Sequence, residues 1–383
     1  MIPLHKPYVN EQAFDALKST LESGMLGGDG TVCKSVEAQI RKLFNVNFAL
    51  LTTSCTHALE MAMMMLDLKP GDEVIVPSFT FTSTANAVIR AGGKPVFCDI
   101  NERTLTMDAG DVRKRITNKT RCLIPVHYAG VSAEMDELLA VARDHDLIVV
   151  EDAAQGVNAR YRKKYLGTIG DIGTYSFHET KNYVSGEGGA FITNAERFAR
   201  LGEIIREKGT NRANFLRGEV DKYTWVGPGS SFVLSELLAA FLKFQLDNLE
   251  RIQTDRKRIH HRYVAGLQDL EQRGTLRLPF IPSYCDSNHH IFYILLNGEE
   301  ERNRVMKKLR ESGIGAAFHY VPLHSSPYAV RALGTAGLDL PVTDKVYGAL
   351  LRLPIYPQLS DDEVDVVTET LRQILTSPPS RLR

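Results

Sequence analysis

Seven short apolar runs between residues 48 and 193 limit the folds open to this chain more than any other feature. They read FALLTT, EVIVPSF, PVFCDI, RCLIPVHYA, LIVVEDAA, GTYSFH and GGAFIT. Amphipathic stretches such as THALEMAMMMLDL and MDELLAVARDHDL lie between several of them. Strands that are apolar throughout, rather than alternating, are buried on both faces, and intervening helices supply the cover. The pattern predicts an α/β fold: a large, mainly parallel sheet sandwiched by helices. Ligands of such sheets bind outside the carboxyl ends of the strands. The run ends are therefore the places to search for chemistry: TSCT, PSFTF, HYAG, EDAAQ and SFHETK.

Near Ser235 the pattern changes to SELLAAFLKFQLDNLERIQTDRKRIHHRYVAGLQDL, with apolar residues near helical period. It predicts one long connecting helix and a division into a large domain, 1–248, and a smaller α+β domain, 249–383. The second domain is expected to contain strands at HHIFYILL and GAAFHYV and helices at NRVMKKLRES and DEVDVVTETLRQIL. TSPPSRLR reads as a loose tail. At 383 residues two domains are the natural expectation.

Lys and Arg total 46 against 46 Asp and Glu, which removes the basic footprint of a nucleic-acid or membrane-surface binder. No run reaches the roughly 20 apolar residues of a membrane span, and MIPLHKPYVNEQ lacks the apolar core of a secretory signal. The five cysteines, Cys33, Cys55, Cys98, Cys122 and Cys285, are scattered without a C-x-x-C pair. That spacing points away from a disulfide framework or a zinc site. A soluble cytoplasmic protein without a bound metal is expected.

Four features at the strand ends belong together. Asp152 closes the apolar run LIVVE, where a carboxylate needs a cationic partner if it is buried. Lys181 follows Ser-Phe-His-Glu-Thr and precedes Gly-Glu-Gly-Gly. Thr53-Ser54-Cys55-Thr56 joins a run to a helix, where free amides and the helix dipole favour an anion. Phe79 and Phe81 add flat faces. Singly, each has an ordinary reading: a solvated lysine, a helix cap, a core ring, a hairpin turn. Pyridoxal 5'-phosphate needs the whole set, namely a lysine amine, an acid for its ring nitrogen, a phosphate cradle and an aromatic plate.

In order along the chain, TSCTHALEMA, PSFTFTSTANAV, PVHYAG, VVEDAAQG, SFHETKN…GEGG, HYVPLH and LPIYPQLS resemble the motifs of one family. It is the DegT/DnrJ/EryC1/StrS sugar aminotransferases, a branch of the fold-type-I enzymes that use pyridoxal phosphate. The opening MIP…GDG and the stretch REKGTNRANFLRGEVDKYTWVGPGSSFVLSELLAA resemble a narrower group within it. That group aminates TDP-4-dehydro-6-deoxyglucose at C4, with glutamate as donor, to give TDP-4-amino-4,6-dideoxygalactose for polysaccharide antigens.

The resemblance implies a role for each matching residue. Lys181 would bind the cofactor covalently and act as catalyst, with Asp152 facing the pyridine nitrogen. Gln155 would lie at the ring hydroxyl, and Phe81 would stack on the ring. Ser176, Cys55 and Thr56 would hold the phosphate. Beyond those carried-over roles, His319 and Tyr320 are candidates to line the hexose pocket, and the cations Lys208 and Arg212 are candidates to face the diphosphate. A homodimer with its active site at the subunit interface is also implied. Many members carry Gly-Tyr-Asn-x-Arg, whose Asn reaches the neighbouring subunit's phosphate. Here the segment is Gly229-Ser230-Ser231-Phe232-Val233, so Ser231 keeps a shorter donor and the arginine is missing. Three alternatives remain open at this stage: a sugar-nucleotide dehydratase, amination at C3 or of a UDP-sugar, and a cofactor-binding regulator or scaffold. Dehydratases of this fold carry histidine at the lysine position, which Lys181 opposes.

Overall fold

The computed structural model describes residues 1–376; of the expected tail, 377–383 lie outside the described residues. All seven apolar runs form strands of one sheet: β1 (Phe48–Thr52), β2 (Glu73–Pro77), β3 (Lys94–Cys98), β4 (Thr120–Leu123), β5 (Ile148–Asp152), β6 (Ile172–Ser176) and β7 (Gly189–Thr193). Their spatial order is β1-β7-β6-β5-β4-β2-β3. β7 alone runs against its neighbours, pairing antiparallel with both β1 and β6. Successive side chains enter opposite, equally buried layers. Ile75 and Val149 join one core, whereas Val74, Val76 and Val150 join the other. Burying each such side chain stabilises the fold by about 1.5–3 kcal/mol, so neither face leaves room for polar alternation.

Among the covering helices, α1 (Cys55–Met65) and α2 (Thr82–Arg90) start at the carboxyl ends of β1 and β2. Ser54 caps α1, its hydroxyl accepting a hydrogen bond from the His57 amide at 3.1 Å. The expected long helix is divided into α3 (Glu236–Asp247) and α4 (Leu249–Gln272), which meet at Asn248 with φ −105° and ψ 17°. Apolar periodicity continues through the break, which is why the sequence reads as continuous. Along α4, Leu249 and Ile252 pack in the large core, while Ile259, Tyr263, Leu267 and Leu270 pack in the C-terminal one.

The C-terminal unit pairs β8 (Phe292–Leu295) antiparallel with β9 (Leu350–Leu353). Helices Glu299–Glu311 and Asp361–Thr376 cover it. GAAFHYV is not a strand. Only Ala317 bridges to Arg352, after which the chain turns inward with His319 and reaches Pro322, which has no amide to donate. The N-terminus packs here too, with the Ile2 amide donating to the Gly313 carbonyl at 2.9 Å and the Gly315 amide to the Ile2 carbonyl at 2.8 Å. No helix among the described residues is long and apolar enough to cross a membrane.

Candidate active site

A cavity of about 520 Å³ opens at the carboxyl ends of the strands, between the large sheet and the C-terminal unit. Cys55, Thr56, Phe81, Asp152, Gln155, Ser176 and Lys181 line one side, and Arg256, His319, Tyr320 and Arg352 line the other.

Lys181 lies on the loop from β6 to β7. The turn is pinned where the Phe177 amide donates to the Gly188 carbonyl and the Glu179 amide to the Gly186 carbonyl, each at 2.9 Å. Two glycines have separate jobs. Gly186 takes φ +94°, and a Cβ on Gly189 would lie 2.4 Å from the Cys55 nitrogen. The strand that follows the lysine therefore abuts the N-terminus of α1, an approach only glycine permits. Lys181 forms no ion pair or side-chain hydrogen bond among the described residues. Burial pushes its amine below the usual lysine range; Cys55 and Asp152 oppose that shift, and the charge of Arg352 adds to it.

Asp152 ends the central strand β5 and is 4% exposed. Its Oδ2 accepts from Thr84 Oγ1 at 2.8 Å and its Oδ1 from the Ala154 amide at 3.2 Å. Thr80 Oγ1 lies 2.9 Å behind Thr84 Oγ1. Among the described residues no cation pairs with this buried carboxylate, and leaving it so is expensive. A protonated pyridine nitrogen is the partner such a group lacks.

At the start of α1, Thr56 Oγ1 meets Ser83 Oγ at 2.7 Å, joining the first turns of α1 and α2. Burial raises the Cys55 thiol far above its ordinary range, so it stays neutral beside the helix amides. Ser176 sits at the end of β6, its hydroxyl accepting from the His178 amide at 3.4 Å. Gln155 Oε1 accepts from the Ala129 amide at 2.8 Å, and its Nε2 donates to the Tyr320 hydroxyl at 2.9 Å, leaving one amide hydrogen for a ligand. Phe81 precedes α2, is 58% exposed, and lies 6.3 Å from Tyr320 between ring centres.

Opposite, His319 Nδ1 and the Tyr128 hydroxyl are 3.0 Å apart. Burial lowers the His319 imidazole well below its ordinary value and raises the Tyr320 phenol, so both are neutral near pH 7. Three sequence candidates do not line the cavity of their own chain. Lys208 pairs with Glu207 at 3.5 Å, Arg212 pairs with Glu207 at 3.3 Å, and Ser231 is exposed in a bridge to Glu207. His324, a histidine neighbouring the HY pair in sequence, bonds Ser78 Oγ through Nδ1 at 2.7 Å instead.

The sequence reading passed over Thr80, Thr84, Ser83, Arg256 and Arg352. The hydroxyls were signalled by their density in PSFTFTST. Arg352 was signalled by a charge inside the apolar run LLRLP.

An unpaired lysine amine, an unpaired buried acid, a helix N-terminus and an aromatic plate around one cavity fit pyridoxal phosphate. Fold and site together define a pyridoxal-phosphate-dependent aminotransferase. Comparison with known proteins agrees. The model of the DegT/DnrJ/EryC1/StrS aminotransferase family matches residues 7–372. The spore coat polysaccharide biosynthesis protein SpsC of Bacillus subtilis is 34% identical, over 98% of this chain and 97% of its own. DesV of S. venezuelae, solved with a ketimine intermediate, superposes with a TM-score of 0.90 at 30% identity over 99% of each chain. Spr1654 of Streptococcus pneumoniae, assigned as a sugar aminotransferase and solved in its PLP form, gives 0.89 at 27% identity over 98% of each chain. This chain belongs to the DegT/DnrJ/EryC1/StrS aminotransferase family.

Proposed function

We propose that the protein transfers an amino group from glutamate to C4 of TDP-4-dehydro-6-deoxyglucose, giving TDP-4-amino-4,6-dideoxygalactose. In this reading it works in the cytoplasm as a homodimer, with Ser231 of each subunit serving the other's site. The observation that carries it is the buried Asp152 carboxylate, without a cationic partner among the described residues, in the cavity that Lys181 also lines. Family membership and a relative named for polysaccharide biosynthesis support a sugar as acceptor. Exposed Trp225 and Tyr223 support a subunit interface.

When bound, pyridoxal phosphate supplies an aldehyde that exchanges between amines and a ring that accepts the electron pair left by a departing Cα proton. Asp152, its carboxylate fixed by Thr84 and the Ala154 amide, would hold a proton at the ring nitrogen. The first amides of α1, with Thr56 and Ser176, would hold the phosphate, and Phe81 would cover the ring. Lys181 Nζ, its hold on a proton weakened by burial, would take the proton from the donor's Cα and later return one to C4 of the sugar. Tyr320 and His319, both neutral, meet the hexose hydroxyls. The test is incubation with glutamate and a panel of TDP- and UDP-ketosugars, with products identified by mass spectrometry and NMR. The expected product is the TDP-linked 4-amino sugar. A product without added nitrogen, or one aminated at C3, would overturn the assignment.

A further inference from the structure

Asn182, the residue after Lys181, is buried, and the segment before β8 occupies both ends of its amide. Its Nδ2 donates to the Asn288 carbonyl at 2.8 Å, and its Oδ1 lies 2.8 Å from His290 Nδ1. A backbone carbonyl can only accept, so the first contact fixes which end of the amide is nitrogen. The other end is therefore the oxygen, and the hydrogen between it and His290 belongs to Nδ1. Burial first, then the charges of Lys181, Arg256, Arg352 and His319, hold this imidazole well below its ordinary value. A neutral ring with its proton on Nδ1 keeps a bare lone pair on Nε2. That nitrogen makes no hydrogen bond among the described residues and, unlike Nδ1 of His260 and of His289, is not sealed in. His290 lines the cavity, so the lone pair opens onto it. The ring is also firmly held. The His290 amide donates to Asn288 Oδ1 at 3.1 Å, and Asn288 Nδ2 donates to the carbonyls of Gln155 at 2.9 Å and Val157 at 2.8 Å.

We propose that His290 is a positioning residue for Lys181, its Nε2 accepting a hydrogen bond from the free lysine amine and so aiming that amine at the substrate carbon. The inference rests on the aminotransferase reading and deepens it. On taking a proton the amine becomes an ammonium in a buried place, where an N–H without an acceptor is costly. Lys181 has no side-chain hydrogen bond of its own among the described residues. His290 supplies an acceptor without adding charge. It exchanges no proton itself; the proton stays on Lys181 Nζ until it is delivered. A sugar hydroxyl is the other donor that could meet this lone pair, and two observations favour the amine. Of the charges acting on His290, that of Lys181 is the strongest. Moreover, the residue next to Lys181 grips the far edge of the ring, so ring and lysine loop keep one register.

The test separates the two nitrogens. H290N keeps an amide donor for Asn182 and loses the Nε2 acceptor, whereas H290Q keeps an acceptor at the Nε2 position and loses the donor. The glutamate half-reaction of each holoenzyme is followed in a single turnover by the cofactor's absorption, with ordinary and α-deuterated glutamate, and each is melted in parallel. Losing one hydrogen bond to a charged group should slow H290N by about 10–10²-fold, with a larger deuterium effect than wild type and little change in Tm. H290Q should melt lower yet react faster than H290N. A slowing of H290N below about threefold overturns the proposal, as does an H290Q no faster than H290N, or an H290N defect confined to the sugar's KM. Should H290N fail to take up cofactor, H290F serves. It fills the space with neither nitrogen and should react at least about tenfold slower than H290Q; equal rates overturn the proposal. A readout independent of activity is the tautomer. Solid-state ¹⁵N spectra of histidine-labelled full-length protein near pH 7 should place the His290 proton on Nδ1, and a proton on Nε2 overturns the proposal. Wild-type enzyme whose cofactor absorption does not respond to glutamate would overturn the underlying aminotransferase reading, whereas a responsive wild type with an unchanged H290N overturns His290 alone.

Discussion

The two walls of the cavity handle charge differently. On the sheet side, the functional groups sit at strand ends, at helix starts or, for Lys181, on the pinned loop between β6 and β7, and Asp152 is oriented by two donors. On the C-terminal side, neutral Tyr320 and His319 stand beside the guanidiniums of Arg256 and Arg352, which have no carboxylate partner among the described residues. The contrast suggests a division of labour. The sheet wall is built for one permanent guest, and the other wall for ligands that come and go with their own negative charge.

Lys181→Ala should break the comparison most severely. The variant should fold with an unchanged circular dichroism spectrum, yet lose more than about 10⁴-fold in turnover, measured as amino-sugar formation. Normal turnover would remove Lys181 from catalysis.

Asp152→Asn comes next. An uncompensated cation in a buried site costs about 3–5 kcal/mol. Expressed on the transition state, that is roughly a 10²–10⁴-fold fall in kcat. A fall under about tenfold in steady-state assays would show that the sheet wall does not depend on this carboxylate.

Gly189→Ala tests the backbone of the same wall. Its Cβ would press on the Cys55 nitrogen and the Ser54 carbonyl, neither of which is a flexible side chain. Overpacking of this sort costs about 1–3 kcal/mol, read as a lower Tm together with weaker cofactor retention on dialysis. An unchanged protein would mean that the approach of β7 to α1 is looser than described.

The smallest effect concerns stability behind the opposite wall. Burial lowers His260 to about 3 and His289 to about 4, with neighbouring histidines adding to the shift. Their rings lie 4.6 Å apart between centres. Below the ordinary histidine value of 6.5 the unfolded chain takes up protons that the folded one refuses, so stability falls as pH drops from 6.5 toward 4. At pH 5 each histidine contributes a loss of about 2 kcal/mol. Denaturant melts of His260→Phe should show a flatter acid limb than wild type, and an equal slope would contradict the account.

The two walls were also unequally legible in the sequence. Apolar runs mark strands, and strand ends mark the site, so Lys181, Asp152, Ser176 and Cys55 were found because local pattern and function coincide there. The opposite wall is assembled from α4, β9 and the segment through Tyr320, whose meeting is a matter of tertiary packing. Arg352 was visible as a charge in LLRLP, yet its missing partner could be recognised only in three dimensions. For the same reason Lys208 and Arg212 looked like free cations until Glu207 was found beside both. Asn248 ended a helix that periodicity alone carried through.

The central claim is that one amine, on Lys181, carries the cofactor. Borohydride reduction of the pyridoxal-phosphate-loaded protein, followed by peptide mapping, tests it most directly. The account predicts a single reduced phosphopyridoxyl group on the peptide containing Lys181. An unmodified Lys181 in a fully loaded sample, or the label on another lysine, would contradict it.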